Sequence, residues 1–346
     1  MNSTLQALMR EATRLTGSGQ LLEATETIQR ALRGETAPPV PPAHPAGAAE
    51  VLDGLVTEVR ERGAAAPGTA GGFSSGSHSH RSLTRDYKLF VPPGPAQPAR
   101  ALVVMLHGCT QQPDDFAAGT AMNERAGEQG FLVLYPAQAA DANPQRCWNW
   151  FKHSHQQRDR GEPALIASLT RQVAHAHGVD PRRIYVAGLS AGGAMAAIVA
   201  AAYPDIYAAV GVHSGLPAGA AANLPEAMAA MQSGASAAPA MHAVPTIVFH
   251  GDQDRTVHPR NGEQLVAAVS GAAAAPRVEQ GASAQGRRYT RRIHAGANGG
   301  AAAEHWLVHG AGHAWSGGQP AGSYTDAQGP DATREMLRFF FEHPAR

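Results

Sequence analysis

Apolar residues recur at helical spacing near the start of the chain: Leu5, Leu8, Met9, Ala12 and Leu15, then, after Gly17-Ser18-Gly19, Leu21, Leu22, Ala24, Ile28 and Leu32. This predicts a helical hairpin over 1–34. Its one apolar face needs cover, from the rest of the chain, from a second copy of the chain in a homo-oligomer, or from another partner. Residues 35–85 lose the period. Pro38-Pro39-Val40-Pro41-Pro42 and a Gly/Ser/His run ending at His80 read as a linker, with a short helical pattern over 48–62. His78 and His80 lie in an alternating Ser-His tract without Cys or carboxylate neighbours, a poor metal ligand set.

From residue 86 to the end, short β-branched or apolar runs bounded by Gly, Pro or Asp predict strands at 87–91, 101–106, 131–135, 183–187, 208–212, 246–249, 289–293 and 305–308. Helical segments at 116–129, 162–177, 191–202, 261–269 and 331–342 separate many of them. Continuous apolar strands alternating with helices predict a three-layer α/β/α domain with a mostly parallel sheet over 86–346.

Composition narrows the function classes. Lys plus Arg equals Asp plus Glu at 28 each, so no global field draws the chain to nucleic acid or anionic membranes. Apolar residues make up 43% and charged residues 16%, which suits a packed core rather than a solvated disordered chain. The longest apolar runs, such as 101–106 and 194–202, fall short of the ~20 residues a membrane span needs. Glu11 and its polar neighbours interrupt the N-terminal pattern, so the roughly 7–15-residue apolar core of a secretory leader is not expected, and by that criterion the chain is cytoplasmic.

Gly188-Leu189-Ser190-Ala191-Gly192 follows a predicted strand and opens a predicted helix. In that context G-x-S-x-G is a nucleophile elbow, whose glycines permit a turn sharp enough to expose the serine hydroxyl; a helix-capping serine is the plainer alternative. A serine hydroxyl is a weak nucleophile and needs a base and an orienting acid. Asp252 and Asp254 follow the strand 246–249, and His313 follows the strand 305–308, giving the order Ser, acid, His. Asp254 is the expected acid, because the nearer Asp252 is placed to tie the turn. Among the other histidines, His107, His213 and His250 read as structural hydrogen-bonders beside strand ends. Oxyanion stabilisation needs backbone N–H groups, each contributing about 3–4 kcal/mol in the transition state. Ala191 and Cys109, the latter in the loop His107-Gly108-Cys109-Thr110-Gln111, are the expected donors. This chemistry requires no metal or organic cofactor.

The two cysteines, Cys109 and Cys147, both fall in loops after strands. Three readings stand: Cys109 as a nucleophile beside His107, two free thiols, or a disulfide fastening the oxyanion loop to Cys147-Trp148-Asn149-Trp150-Phe151. A persistent disulfide favours an oxidising compartment. Trp148, Trp150 and Trp315 lie near Cys147 and His313 in sequence and are expected to wall a subsite for short acyl groups.

The ordered set formed by the 107–111 loop, Cys147-Trp148, Gly188–Met195, His250-Gly251-Asp252-Gln253-Asp254, Gly312-His313-Ala314-Trp315-Ser316-Gly317-Gly318 and Gly329-Pro330-Asp331-Ala332 resembles the poly(3-hydroxybutyrate) depolymerase family of esterases, short-chain-length polyhydroxyalkanoate type, with its α/β-hydrolase fold. The likeness covers about 87–346. It implies Ser190 as nucleophile, Asp254 as acid, His313 as base, Cys109 and Ala191 as oxyanion donors, and Trp148 beside the acyl subsite. It also implies a polyester or small ester substrate and favours an extracellular or periplasmic setting. Related sequences include feruloyl and acetylxylan esterases, so an esterase acting on plant polysaccharide esters is the alternative. A non-catalytic binding protein on the same fold is the rival of another class.

Overall fold

The structure, a computed structural model, describes residues 72–94, 100–236, 244–270, 275–295 and 301–345. The expected hairpin over 1–34, the linker up to residue 71 and the helical pattern over 48–62 lie outside the described residues. The rest of the expected linker does not hold. Gly72–His80 is a strand, β1, paired antiparallel with β2 (Leu83–Val91) along its whole length. Its alternating Ser and Gly positions leave one face wet at the sheet edge, so no apolar run marks it. His78 is turned inward, 8% exposed, with Nε2 3.0 Å from Ser168 Oγ.

The sheet continues with β3 (Arg100–Leu106), β4 (Leu132–Pro136), β5 (Val179–Leu189), β6 (Ala209–His213), β7 (Thr246–Gly251), β8 (Arg277–Ala282), β9 (Arg288–Ala295) and β10 (Ala301–Val308). Its order is β1-β2-β4-β3-β5-β6-β7-β10-β9-β8. The six strands from β4 to β10 in that order are parallel, while the β1–β2, β2–β4, β10–β9 and β9–β8 pairings at the two sides are antiparallel. A separate short ladder joins β11 (Trp315–Ser316) to β12 (Thr325–Asp326). Every residue of β3, β4 and β7 is buried, as strands covered on both faces must be.

Period-2 alternation sorts the core. Leu102, Val104 and Leu106 point to one face, against α3 (Gly161–Ala176), α4 (Ala191–Ala202) and α6 (Arg260–Ser270). Ala101, Val103 and Met105 point to the other, against α1 (Pro113–Thr120), α2 (Met122–Gln129) and α7 (Ala332–Glu342). The expected helix over 116–129 is two helices, because Ala121 takes φ 52° and breaks the run. Helix α5 (Leu224–Ser233), capped by Asn223 accepting from Glu226 N, and the exposed edge strand β8 were not expected. Both are largely solvated, so neither carries a clean apolar signature. Among the described residues no helix is long and apolar enough to cross a membrane.

Candidate active site

Ser190 stands between β5 and α4 at φ 57° and ψ −120°, a conformation that costs an L-residue roughly 1–3 kcal/mol. The surroundings enforce it. A Cβ on Gly192 would come within 2.0 Å of Leu106 O, and one on Gly188 within 2.3 Å of Gly192 O. Only glycine at these two positions lets α4 start so close to β3 and β5. Ser190 N donates to His213 O at 2.9 Å, which holds the turn to β6.

Asp254 sits just beyond β7 and is 5% exposed. One carboxylate oxygen accepts from the backbone N–H groups of Thr256 and Val257, both at 2.9 Å; the other accepts from His313 Nδ1 at 2.7 Å. Burial pushes this carboxyl up, but the bonds from His250 and His313 outweigh it and hold the group far below the usual carboxylate range. It is an anion. With the Nδ1–H of His313 donated to Asp254, an unprotonated Nε2 presents its lone pair away from the carboxylate, the arrangement a general base needs.

Asp252 makes different bonds. It accepts from His309 Nδ1 at 2.9 Å and from Gly310 N at 2.7 Å, and its own N–H donates to Val308 O. The two carboxylates therefore divide: Asp254 meets His313, and Asp252 ties the turn to the loop that carries His313.

The loop after β3 lies against the elbow. A Cβ on Gly108 would be 3.6 Å from Ser190 Cβ, so the next residue, Cys109, begins its backbone beside the serine. Ala191 opens α4, and its N–H is among the first helical donors without an intrahelical acceptor. Cys109 and Cys147 form a disulfide, which disposes of both the free-thiol and the nucleophile readings. Thr110 N donating to Gln145 O at 2.6 Å adds a second tie between the same loops.

His107, His213 and His250 each make buried hydrogen bonds beside strand ends. His107 donates through Nδ1 to Gly108 O and accepts at Nε2 from Gln138 N; His213 Nε2 accepts from Ser316 N; His250 Nε2 donates to Val257 O. His213 thereby links the elbow to the segment after His313. Burial lowers His107 to about 4 and His213 to about 3, so both are neutral.

The tryptophans need correction. Trp148, Trp150 and Trp315 are 0%, 5% and 1% exposed, which leaves none with a broad face for an acyl chain. Trp315 stacks on His213 with ring centres 5.1 Å apart and donates Nε1 to Thr333 Oγ1. Trp148 packs 5.8 Å from the His107 ring, behind the oxyanion loop. Large apolar rings near a site are drawn into the core that supports it as readily as into its wall.

Two residues given no role by sequence reasoning organise the site. Gln111, 2% exposed, accepts from Gly108 N at 2.9 Å and donates to Asp115 at 2.9 Å and to Ser323 O, fixing the oxyanion loop to the 316–330 segment. Its place in the 107–111 motif was the available signal. Glu162, wholly buried, accepts from Gln138 Nε2 at 2.6 Å, from Asn149 N and Nδ2 at 2.8 Å, and from Arg85 at 3.3 Å. Burial raises its carboxyl, yet His155, Gln138 and Asn149 together bring it down to about 2. It anchors the loop bearing Cys147 and Trp148. No local pattern announces such a hub, since its partners come from three separate segments. Among the described residues no group of three His, Cys, Asp or Glu side chains is placed to hold a metal ion.

Strand order and an elbow at the end of β5 place the fold among the α/β-hydrolases. An acetyl xylan esterase from Aspergillus awamori shares it at a TM-score of 0.60 and 19% identity, covering 78% of this chain and 99% of that one. The chain belongs to the esterase PHB depolymerase family, whose sequence profile matches residues 85–273. It is 35% identical over 191 residues to poly(3-hydroxyalkanoate) depolymerase C of Paucimonas lemoignei, 51% of this chain and 45% of that one. Feruloyl esterase B of Thermothelomyces thermophilus is 32% identical over 122 residues, 35% of this chain and 41% of that one. The chain spans less than half the length of either relative.

Proposed function

We propose that this protein is a serine carboxylester hydrolase that cleaves short-chain hydroxyalkanoate esters, as polyester or as its oligomers. The observation that carries the chemistry is the 2.7 Å Asp254–His313 pair together with the strained Ser190 elbow, which His213 ties to the segment after His313. Ser190 Oγ attacks the ester carbonyl while its proton passes to His313 Nε2; Asp254 stabilises the imidazolium. The N–H groups of Cys109 and Ala191 receive the developing oxyanion. The alcohol leaves with the proton from His313, and water releases the acyl group by the same steps in reverse order.

The identity to a poly(3-hydroxyalkanoate) depolymerase favours the hydroxyalkanoate substrate. A second reading, an esterase on feruloyl or acetyl esters of plant polysaccharide, draws on the feruloyl esterase relative and on the acetyl xylan esterase fold. The Cys109–Cys147 bond supports residence in an oxidising compartment outside the cytoplasm. A turnover panel on one preparation separates these readings: 3-hydroxybutyrate oligomers, amorphous polymer particles, p-nitrophenyl acyl esters and methyl ferulate. Preference for methyl ferulate over the oligomers overturns the hydroxyalkanoate assignment. A chain that turns over none of them and resists a fluorophosphonate at Ser190 is a binding protein instead.

A further inference from the structure

His250 is completely buried at the end of β7 and is not one of the three residues of the proposed reaction. Its Nε2 donates to Val257 O at 2.8 Å and also lies 3.4 Å from Asp254 Oδ2, the oxygen that receives His313. Val257 N in turn donates to the other oxygen of Asp254. One imidazole thus grips the far end of the turn whose near end is the carboxylate. That grip requires the proton on Nε2. In the opposite tautomer Nε2 would present a lone pair to a carbonyl and a carboxylate, which is repulsive.

The opposite side of the ring makes no hydrogen bond. His250 Nδ1 is buried without a hydrogen-bond partner, and so is Nε2 of His305 on β10, a residue 2% exposed. The two nitrogens converge on the backbone of Gly262 in α6, at 3.0 and 3.1 Å from where a Cβ there would sit. Burial lowers His305 to about 3, so it is neutral and has one N–H to offer. The titratable and charged neighbours are Asp254 and His313 on the site side, His213 from β6, and Arg292 and His294 from β9 beside His305. None of these offers a second acceptor to His250 Nδ1, which is itself an acceptor when Nε2 holds the proton.

We propose that His250, whose Nε2–H faces both Val257 O and Asp254 Oδ2, is a positioning residue for Asp254. This rests on the reading of Asp254 as the acid that orients His313. Acting only through Asp254, His250 matters where there is a carboxylate to position and matters little where there is none.

The test is a double-mutant cycle on the full chain, with p-nitrophenyl acetate as probe and circular dichroism to verify folding. His250→Phe should lower kcat/KM about 30-fold with Asp254 present and less than about 3-fold in an Asp254→Asn background. His250→Gln, whose amide N–H can still reach Val257 O, should recover most of the loss. His250→Ala, which underfills the site rather than overfilling it, serves as the test if His250→Phe does not fold, and its loss should likewise vanish in Asp254→Asn. Equal losses in both backgrounds, or a folded His250→Gln as damaged as His250→Phe, overturn the inference. Stoichiometric fluorophosphonate labelling of the unsubstituted chain, abolished by Ser190→Ala, keeps that outcome separate from failure of the hydrolase reading; absence of labelling sinks both.

Discussion

Asp252 accepts a hydrogen bond from His309 Nδ1 at 2.9 Å, and His309 Nε2 in turn lies 2.9 Å from Thr290 Oγ1. Two residues further on, Asp254 makes the same kind of bond to His313. Adjacent carboxylates on one turn therefore serve two histidines of one loop. The Asp252 pair is about one-third exposed, whereas the Asp254 carboxylate is fully buried.

Asp254→Asn should accordingly cost far more activity than Asp252→Asn. Loss of the orienting anion lowers kcat by ~10⁴ in the protease template, where the wrong tautomer faces the nucleophile. Asp252→Asn keeps an acceptor for Gly310 N and should cost less than about tenfold, with a lower melting temperature as its main effect. Steady-state kinetics on both variants decide the matter, and a larger loss for Asp252→Asn would reverse the assignment.

The elbow gives a packing prediction. Ser190→Ala should abolish ester turnover and fluorophosphonate labelling with little change in melting temperature, since only a hydroxyl is lost. Gly192→Ala should lose both activity and stability, because its methyl would lie 2.0 Å from Leu106 O and force α4 away from β3. A Gly192→Ala protein with unchanged melting temperature would falsify this account of the turn.

Reduction of the Cys109–Cys147 bond should lower kcat and melting temperature together. The bond spans a sequence separation of 38, for which the chain-entropy model gives roughly 4 kcal/mol. It also joins the loop bearing the proposed oxyanion donor to the loop held by Glu162. Retained kcat in a reduced but folded sample would mean that the bond stabilises the protein without organising its site.

Glu162→Gln should destabilise by ~3–5 kcal/mol, as removal of one partner leaves Arg85 buried without its anion. The damage should centre on the loop at 147–155, read as faster amide exchange there than in α3. Uniform exchange across the molecule would show that the loop does not depend on this anchor.

Acid should unfold the protein earlier than its near-neutral composition suggests. His107, His213 and His305 are held neutral, at about 4, 3 and 3, by burial. Unfolded, they take up protons below about pH 6.5, so the unfolded state binds more protons and stability falls as pH drops from about 6.5 towards those values. Glu162 adds a second loss lower down, between its unfolded value near 4.5 and about 2. Melting temperature measured from pH 8 to pH 4 should decline steadily below pH 6.5; a flat profile would mean that the three imidazoles are charged in the fold.

Local sequence determined much of this protein. Wherever a strand is covered on both faces, as in β3, β4 and β7, burial demands an unbroken apolar run, and the run announces the strand. Glycines at 188 and 192 announce the elbow because no other residue permits backbone approach that close. The order Ser190, Asp254, His313 follows from strand ends that carry the site, and each left its mark beside an apolar run. Tertiary structure decided the rest. Strands β1 and β8 lie at sheet edges with wet faces, so pairing rather than patterning makes them strands. The burial of Trp148 and Trp315 depends on which face of the loop the core claims, a choice made by Thr333, His213 and His107 from distant segments. Glu162 is an anchor, rather than an isolated buried charge, only because Arg85, Gln138, Asn149 and His155 arrive from three separate segments of the chain. Contacts of that kind have no period and no motif, since the partners are brought together by the fold and not by their spacing.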